Sequence, residues 1–189
     1  YPVFKTYWEK RIGLNQEEIL GKIVPVLLSY DPRVIFDRLN RLNILKEGTE
    51  KAVFIEEDIT KVKEVMAEDS NKIGNFFCSQ GRYDQGIKYF EDALKIWMEL
   101  FGENHPHVAG SYNNLGNAYE EKGEYDKAIP YHEKALKIWM ELFGENHPDV
   151  ADSYNNLGEA YRRKDEYDKA IEYHEKALKI RMGLFGENH

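Results

Sequence analysis

Residues 106–147 read PHVAGSYNNLGNAYEEKGEYDKAIPYHEKALKIWMELFGENH, and residues 148–189 read PDVADSYNNLGEAYRRKDEYDKAIEYHEKALKIRMGLFGENH. The two stretches differ at nine of 42 positions, among them Asn117/Glu159, Glu120/Arg162, Glu121/Arg163, Pro130/Glu172 and Trp139/Arg181. Duplication of a structural unit accounts for identity at that level over a fixed period. The same register extends one unit back, to residues 64–105: Gly74 meets Gly116, Tyr83 meets Tyr125, and Leu94 to His105 repeats unchanged as Leu136 to His147. Phe-Gly-Glu-Asn-His therefore closes all three units, at 101–105, 143–147 and 185–189.

Each unit reads as a helical hairpin. Ala109, Tyr112, Leu115, Gly116 and Tyr119 recur at steps of three and four, which puts them on one stripe of a first helix, A, over about 108–122. Gly123 offers a left-handed stop. Tyr125 then opens helix B, over about 125–142, carried by Ala128, Ile129, Tyr131, Ala135, Leu136, Ile138 and Leu142. Pro130 lies early enough in B to cost little. Asn146-His147-Pro148 is expected to form the loop between units, because proline restricts the residue before it and has no N–H to donate.

At Tyr112, Leu115-Gly116, Tyr119, Ala128 and Ala135, recurring as Tyr154, Leu157-Gly158, Tyr161, Ala170 and Ala177, the chain resembles the tetratricopeptide repeat. Close packing explains those residue types, with Gly116 expected to face Ala128 where the helices cross. The family's usual period is 34 residues with a proline late in helix B. Here the period is 42 and Met98, Met140 and Met182 stand at that place, which resembles the subclass found in kinesin light chains. The resemblance covers residues 64–189. It implies an all-α fold, a right-handed superhelix of three helix-turn-helix repeats, whose concave wall of A helices binds a peptide or protein segment.

By that resemblance the groove is lined by Asn71 and Asn75, then Asn113, Asn117 and Glu120, then Asn155, Glu159 and Arg162, with Glu68, Cys78 and Asp152 on the same face. An asparagine amide both donates and accepts, so it suits the backbone of an extended peptide; the alternative is that these are solvated polar positions. Relatives that clamp a terminal carboxylate use lysine and arginine on this wall. None of these positions is a lysine and the only basic cluster is Arg162-Arg163, so a neutral to basic segment is the expected partner.

Composition limits the other classes of function. The 189 residues are 42% apolar, enough to bury a core, and carry a net charge of −8, which argues against a nucleic-acid partner. The acidity belongs to the repeats: residues 1–63 hold 11 basic and 10 acidic side chains, residues 64–189 hold 15 and 24. The longest apolar run, Ile23 to Leu28, is far too short to span a bilayer and no signal segment opens the chain, so no membrane partner is expected. One cysteine and no Asn-x-Ser/Thr sequence favour a reducing, cytoplasmic setting. The chain opens at Tyr1 without methionine and stops within its repeated motif, so it reads as part of a longer protein.

No phosphate-cradling glycine loop, Gly-x-Ser-x-Gly turn or His-Glu-x-x-His helix is present, and neither catalysis nor a cofactor is expected. His105, His147 and His189 recur once per unit in loops, too far apart to share a metal ion. His132 and His174 take the place of Phe90 and read as partly buried spacers. Trp97 and Trp139 become Arg181, which points to an outer-edge position. Cys78 is expected to be a small filler or groove residue.

Residues 1–63 have no repeat. Asn15 caps a run kinked at Pro25, Asp31-Pro32 opens a helix over 32–45, Thr49 to Ile55 reads as a helix or a strand, and a further helix from Asp58 leads into the first repeat. The apolar spacing is faintly similar to a caspase-recruitment death fold and equally to the winged-helix end of a nucleotide-switch ATPase; a plain helical cap on the first repeat is the third reading. The leading expectation for the whole is a non-catalytic interaction scaffold. The alternative is a sensor or regulatory fragment of a larger signalling ATPase or cell-death adaptor. With nothing to cover it, the last helix B should favour end-to-end self-association.

Overall fold

Two different devices turn the chain within each repeat. Between helices A and B the backbone enters the left-handed region at Gly81 (φ 70°), Gly123 (φ 83°) and Asp165 (φ 63°), equivalent positions one repeat apart. Aspartate is among the few residues with a side chain that adopt this conformation, and it replaces glycine without shifting the turn. Between repeats, Gly102, Gly144 and Gly186 end helix B with φ near 80°. Their backbone N–H groups donate to Met98, Met140 and Met182 oxygens.

Six α-helices and no strands make up the described residues, 56–186 of a computed structural model. They are α1 (Glu56–Ser79), α2 (Tyr83–Phe101), α3 (Pro106–Glu121), α4 (Tyr125–Phe143), α5 (Pro148–Arg163) and α6 (Tyr167–Phe185). The chain divides into two compact units, Tyr1–Val65 and Met66–His189. The expected elements before Glu56, including the Pro25 kink, the helix at 32–45 and the death-fold or winged-helix likeness, lie outside the described residues.

Helix A begins earlier than its apolar spacing implies. Pro106 and Pro148 are the first helical residues rather than loop, and His105 and His147 cap them: each Nδ1 accepts the backbone N–H two residues on, at 3.3 Å. The imidazoles stack on Phe101 and Phe143, with ring centres 4.2 and 4.3 Å apart. His105 and His147 are thus helix caps seated on the preceding helix B, a structural role that accounts for Phe-Gly-Glu-Asn-His as a unit at these two junctions. Helix α4 runs unbroken through Pro130.

The two helices of a repeat meet at a glycine, and the group nearest Gly116 is the ring of His132. That fully buried ring covers the glycine: a Cβ on Gly116 would lie 2.5 Å from the ring. Phe90 covers Gly74 and His174 covers Gly158 in the same way. Tyr119 and Tyr131 stack beside this crossing at 5.5 Å, repeated by Tyr161 and Tyr173 at 5.4 Å.

Successive repeats join when helix A packs on the preceding helix B, as α3 does on α2 and α5 on α4. Ile87 with Leu115 and Ala118 makes one junction core, Ile129 with Leu157 and Ala160 the next. Lys122 reaches Asp84 at 2.7 Å and Lys164 reaches Asp126 at 2.8 Å across the same junctions. Trp97 is not at an outer edge: it is buried against Ala67, Ala93 and Val108. Trp139 is half-buried, and only Arg181 stands exposed at this position.

Candidate functional site

Helices α3 and α5 touch directly, and side-chain hydrogen bonds run from α3 to α1 and from α5 to α3. In a curved stack the elements on the inside lie closer together, and this chain of A-to-A contacts is what the inner wall of such a stack requires. Three rows of predicted groove residues run along it, one residue per repeat: Asn71, Asn113, Asn155; Asn75, Asn117, Glu159; and Cys78, Glu120, Arg162.

The first row is spent largely on the fold. Asn114 Nδ2 donates to Asn71 Oδ1 at 3.4 Å, and Asn156 Nδ2 donates to Asn113 Oδ1 at 2.7 Å. These bonds tie each A helix to the next through half-buried amides, where a polar group gains most from being paired. Asn114 and Asn156 were not among the predicted site residues; the doubled Asn-Asn before each Leu-Gly was their signal. Asn155, the last of the row, has no side-chain partner among the described residues.

The second row is open where it is amide. Asn75 and Asn117 are exposed and bonded to no other side chain among the described residues. Glu159 differs. Arg162 Nε and Nη2 donate to its two oxygens at 2.7 and 2.6 Å, and Arg163 Nε donates at 2.9 Å. These charged hydrogen bonds, that of Arg162 first and that of Arg163 second, pull its carboxyl down to about 2.

The third row is mostly internal. Glu120 is buried: Arg163 Nε lies 3.0 Å from one of its oxygens and His132 Nε2 3.5 Å from the other. It sits at the α3–α5 seam rather than facing solvent. Cys78 is half-buried and packs against the junction core of Ile87 and Phe90. Burial, with the charge of Glu121 adding to it, pushes its thiol up, so the thiolate a nucleophile requires is disfavoured. The described residues contain no group of three or more side chains able to hold a metal ion, and no helix long and apolar enough to cross a membrane.

The tetratricopeptide repeat pattern matches residues 67–130 and 107–182. The chain belongs to the tetratricopeptide repeat family. Members of this family serve as protein-interaction scaffolds and are generally non-catalytic. No curated protein sequence matches the chain. Among solved structures it is similar to BtubC (BKLC) of P. vanneervenii, at 24% identity and a TM-score of 0.60, covering 82% of this chain and 62% of that one. This tetratricopeptide chain therefore spans about three-fifths of that protein's length. It is also similar to nearly identical TPR-like repeats of P. anserina described as a kinesin light chain, at 17% identity and a TM-score of 0.58, covering 97% and 93%. The TPR domain of Arabidopsis FLU matches at 19% identity and 0.56, covering 65% and 98%. At these identities the likeness is one of fold, an all-α solenoid of the kinesin-light-chain type.

Proposed function

We propose that the inner wall of the A helices holds an extended segment of a partner protein without altering it chemically. The observation that carries this reading is the pair Asn75 and Asn117: two exposed amides on equivalent turns of neighbouring helices, bonded to no other side chain among the described residues while the adjacent row of amides is. An amide pair presented in register suits the alternating N–H and C=O groups of an extended backbone. Charge selects further. Arg162 and Arg163 are answered by Glu159 and Glu120, whereas Glu68 and Glu121 are exposed acids with no cation partner among the described residues. The unanswered charge on the wall is negative, which favours a neutral to basic segment. A cytoplasmic setting agrees with the single cysteine.

The test is selection of a random peptide library on the wild-type protein beside an Asn75→Ala, Asn117→Ala double variant. Both positions are exposed, so the variant should keep the wild-type melting curve. A shared motif that the variant loses supports the groove. Equal enrichment by both proteins, or none by either, overturns it.

A further inference from the structure

The outward side of α6 carries an apolar stripe with no cover among the described residues: Tyr167, Ile171 and Leu178 are 59, 57 and 56% exposed, and Met182 is exposed as well. On α4 the equivalents of the last three are Ile129, Leu136 and Met140, and α5 packs over all of them. An open face of this kind marks an interaction surface when its occupant is specified, and the repeat specifies it. At each junction within the chain the isoleucine of helix B meets the alanine of the next helix A, Ile87 with Ala118 and Ile129 with Ala160.

We propose that the protein associates head to tail, the α6 of one copy receiving the α1 of the next. In the repeat register the residue of α1 at the place of Ala118 and Ala160 is Phe76, itself 60% exposed. The polar groups agree. Asn155, whose equivalents Asn71 and Asn113 accept from Asn114 and Asn156, has an open oxygen, and the residue of α1 in that register is Lys72, a donor with 72% of its side chain exposed. Asp168, whose equivalents Asp84 and Asp126 hold Lys122 and Lys164, pairs with no cation among the described residues; the register sets the amide of Gln80 against it. One register thus supplies an apolar partner for Ile171 and a donor for each open acceptor. Phenylalanine is bulkier than the alanine it replaces, so this junction is looser than those within the chain and its association reversible. The two contacting surfaces are different, which makes the contact heterologous and lets it extend beyond two copies.

The test is multi-angle light scattering over a concentration series on the wild type, Phe76→Glu, Ile171→Glu and Leu178→Glu, with circular dichroism to confirm that each is folded. The expected result is a mass that rises with concentration for the wild type and stays monomeric for every variant. An equimolar mixture of Phe76→Glu and Ile171→Glu retains one intact α6 face and one intact α1 face, so its mass should double and go no further. A wild type that stays monomeric throughout overturns the proposal. So does association of Phe76→Glu like the wild type, which would mean that two α6 faces pair with each other, and so does a mixture that stays monomeric.

Discussion

Arg181 donates a hydrogen bond to the Asp152 carboxylate at 2.7 Å, and both residues stand at positions where the third repeat departs from the second, which has Trp139 and Gly110 there. Two changes 29 residues apart are thus partners in space. The other substituted cluster behaves alike: Glu159, Arg162 and Arg163, which replace Asn117, Glu120 and Glu121, form one ion-pair network that also reaches Glu120 of the preceding repeat. The small divergence between two nearly identical units is concentrated where side chains meet, so the units have distinct neighbours despite a common backbone.

The Asp152–Arg181 pair should contribute little energy. Its side chains are 63 and 47% exposed, and exposed pairs of this kind are worth about 0.5 kcal/mol. A double-mutant cycle with Asp152→Ala and Arg181→Ala, read by urea unfolding, should give a coupling of that size in low salt that disappears in about 1 M salt.

Gly116→Ala is expected to destabilise the protein by about 1–2 kcal/mol, the cost of overpacking less the helix-propensity gain of alanine over glycine. The ring of His132 is fully buried and has nowhere to move. Gly158→Ala should cost less, because His174, which would meet the new methyl at 2.7 Å, is only half-buried. Chemical denaturation of both variants compares the two sites directly.

Trp97 and Trp139 are equivalent in sequence and unequal in packing. Trp97→Ala should cost about 3–5 kcal/mol, as for a large aromatic side chain removed from a core. Trp139→Arg, which reproduces the third repeat, should cost less than half as much as Trp97→Arg, since Trp139 is half-buried and arginine can reach solvent from there. Thermal melts of the two arginine variants check the order.

Acid should act on the Glu159 network in a defined window. The Arg162 and Arg163 hydrogen bonds lower this carboxyl from 4.5 to about 2 in the folded protein. Its contribution is fully present above the unfolded value near 4.5 and is lost as pH falls through about 2. Glu159→Gln should therefore flatten the dependence of stability on pH between those two values and leave the slope above pH 5 as it is. Unfolding curves collected through that range on both proteins supply the comparison.

Much of the fold is legible in the sequence because it is local. The three- and four-residue spacing of Tyr112, Leu115 and Tyr119 sets the buried stripe, and Gly123 marks a left-handed turn whatever surrounds it. The starts of α3 and α5 are less legible. Pro106 and Pro148 break a preceding helix and also open a following one, and only the capping bond from His105 or His147 shows which. Of the groove, the row Asn75 and Asn117 keeps its open, solvent-facing character, while Glu120 is drawn into the seam between α3 and α5.

The sequence by itself determined the helical hairpin, its 42-residue period and the glycine at each helix crossing, because these follow from periodicity and from what one turn of backbone tolerates. The tertiary structure alone decided that Asn71 and Asn113 are bound by the next helix, that the ring of His132 covers Gly116, and that Trp97 is core where Arg181 is surface. Each of these depends on the residue standing opposite, on the paired helix or one repeat away. No local pattern states that residue's identity; stacking one helix on another supplies it.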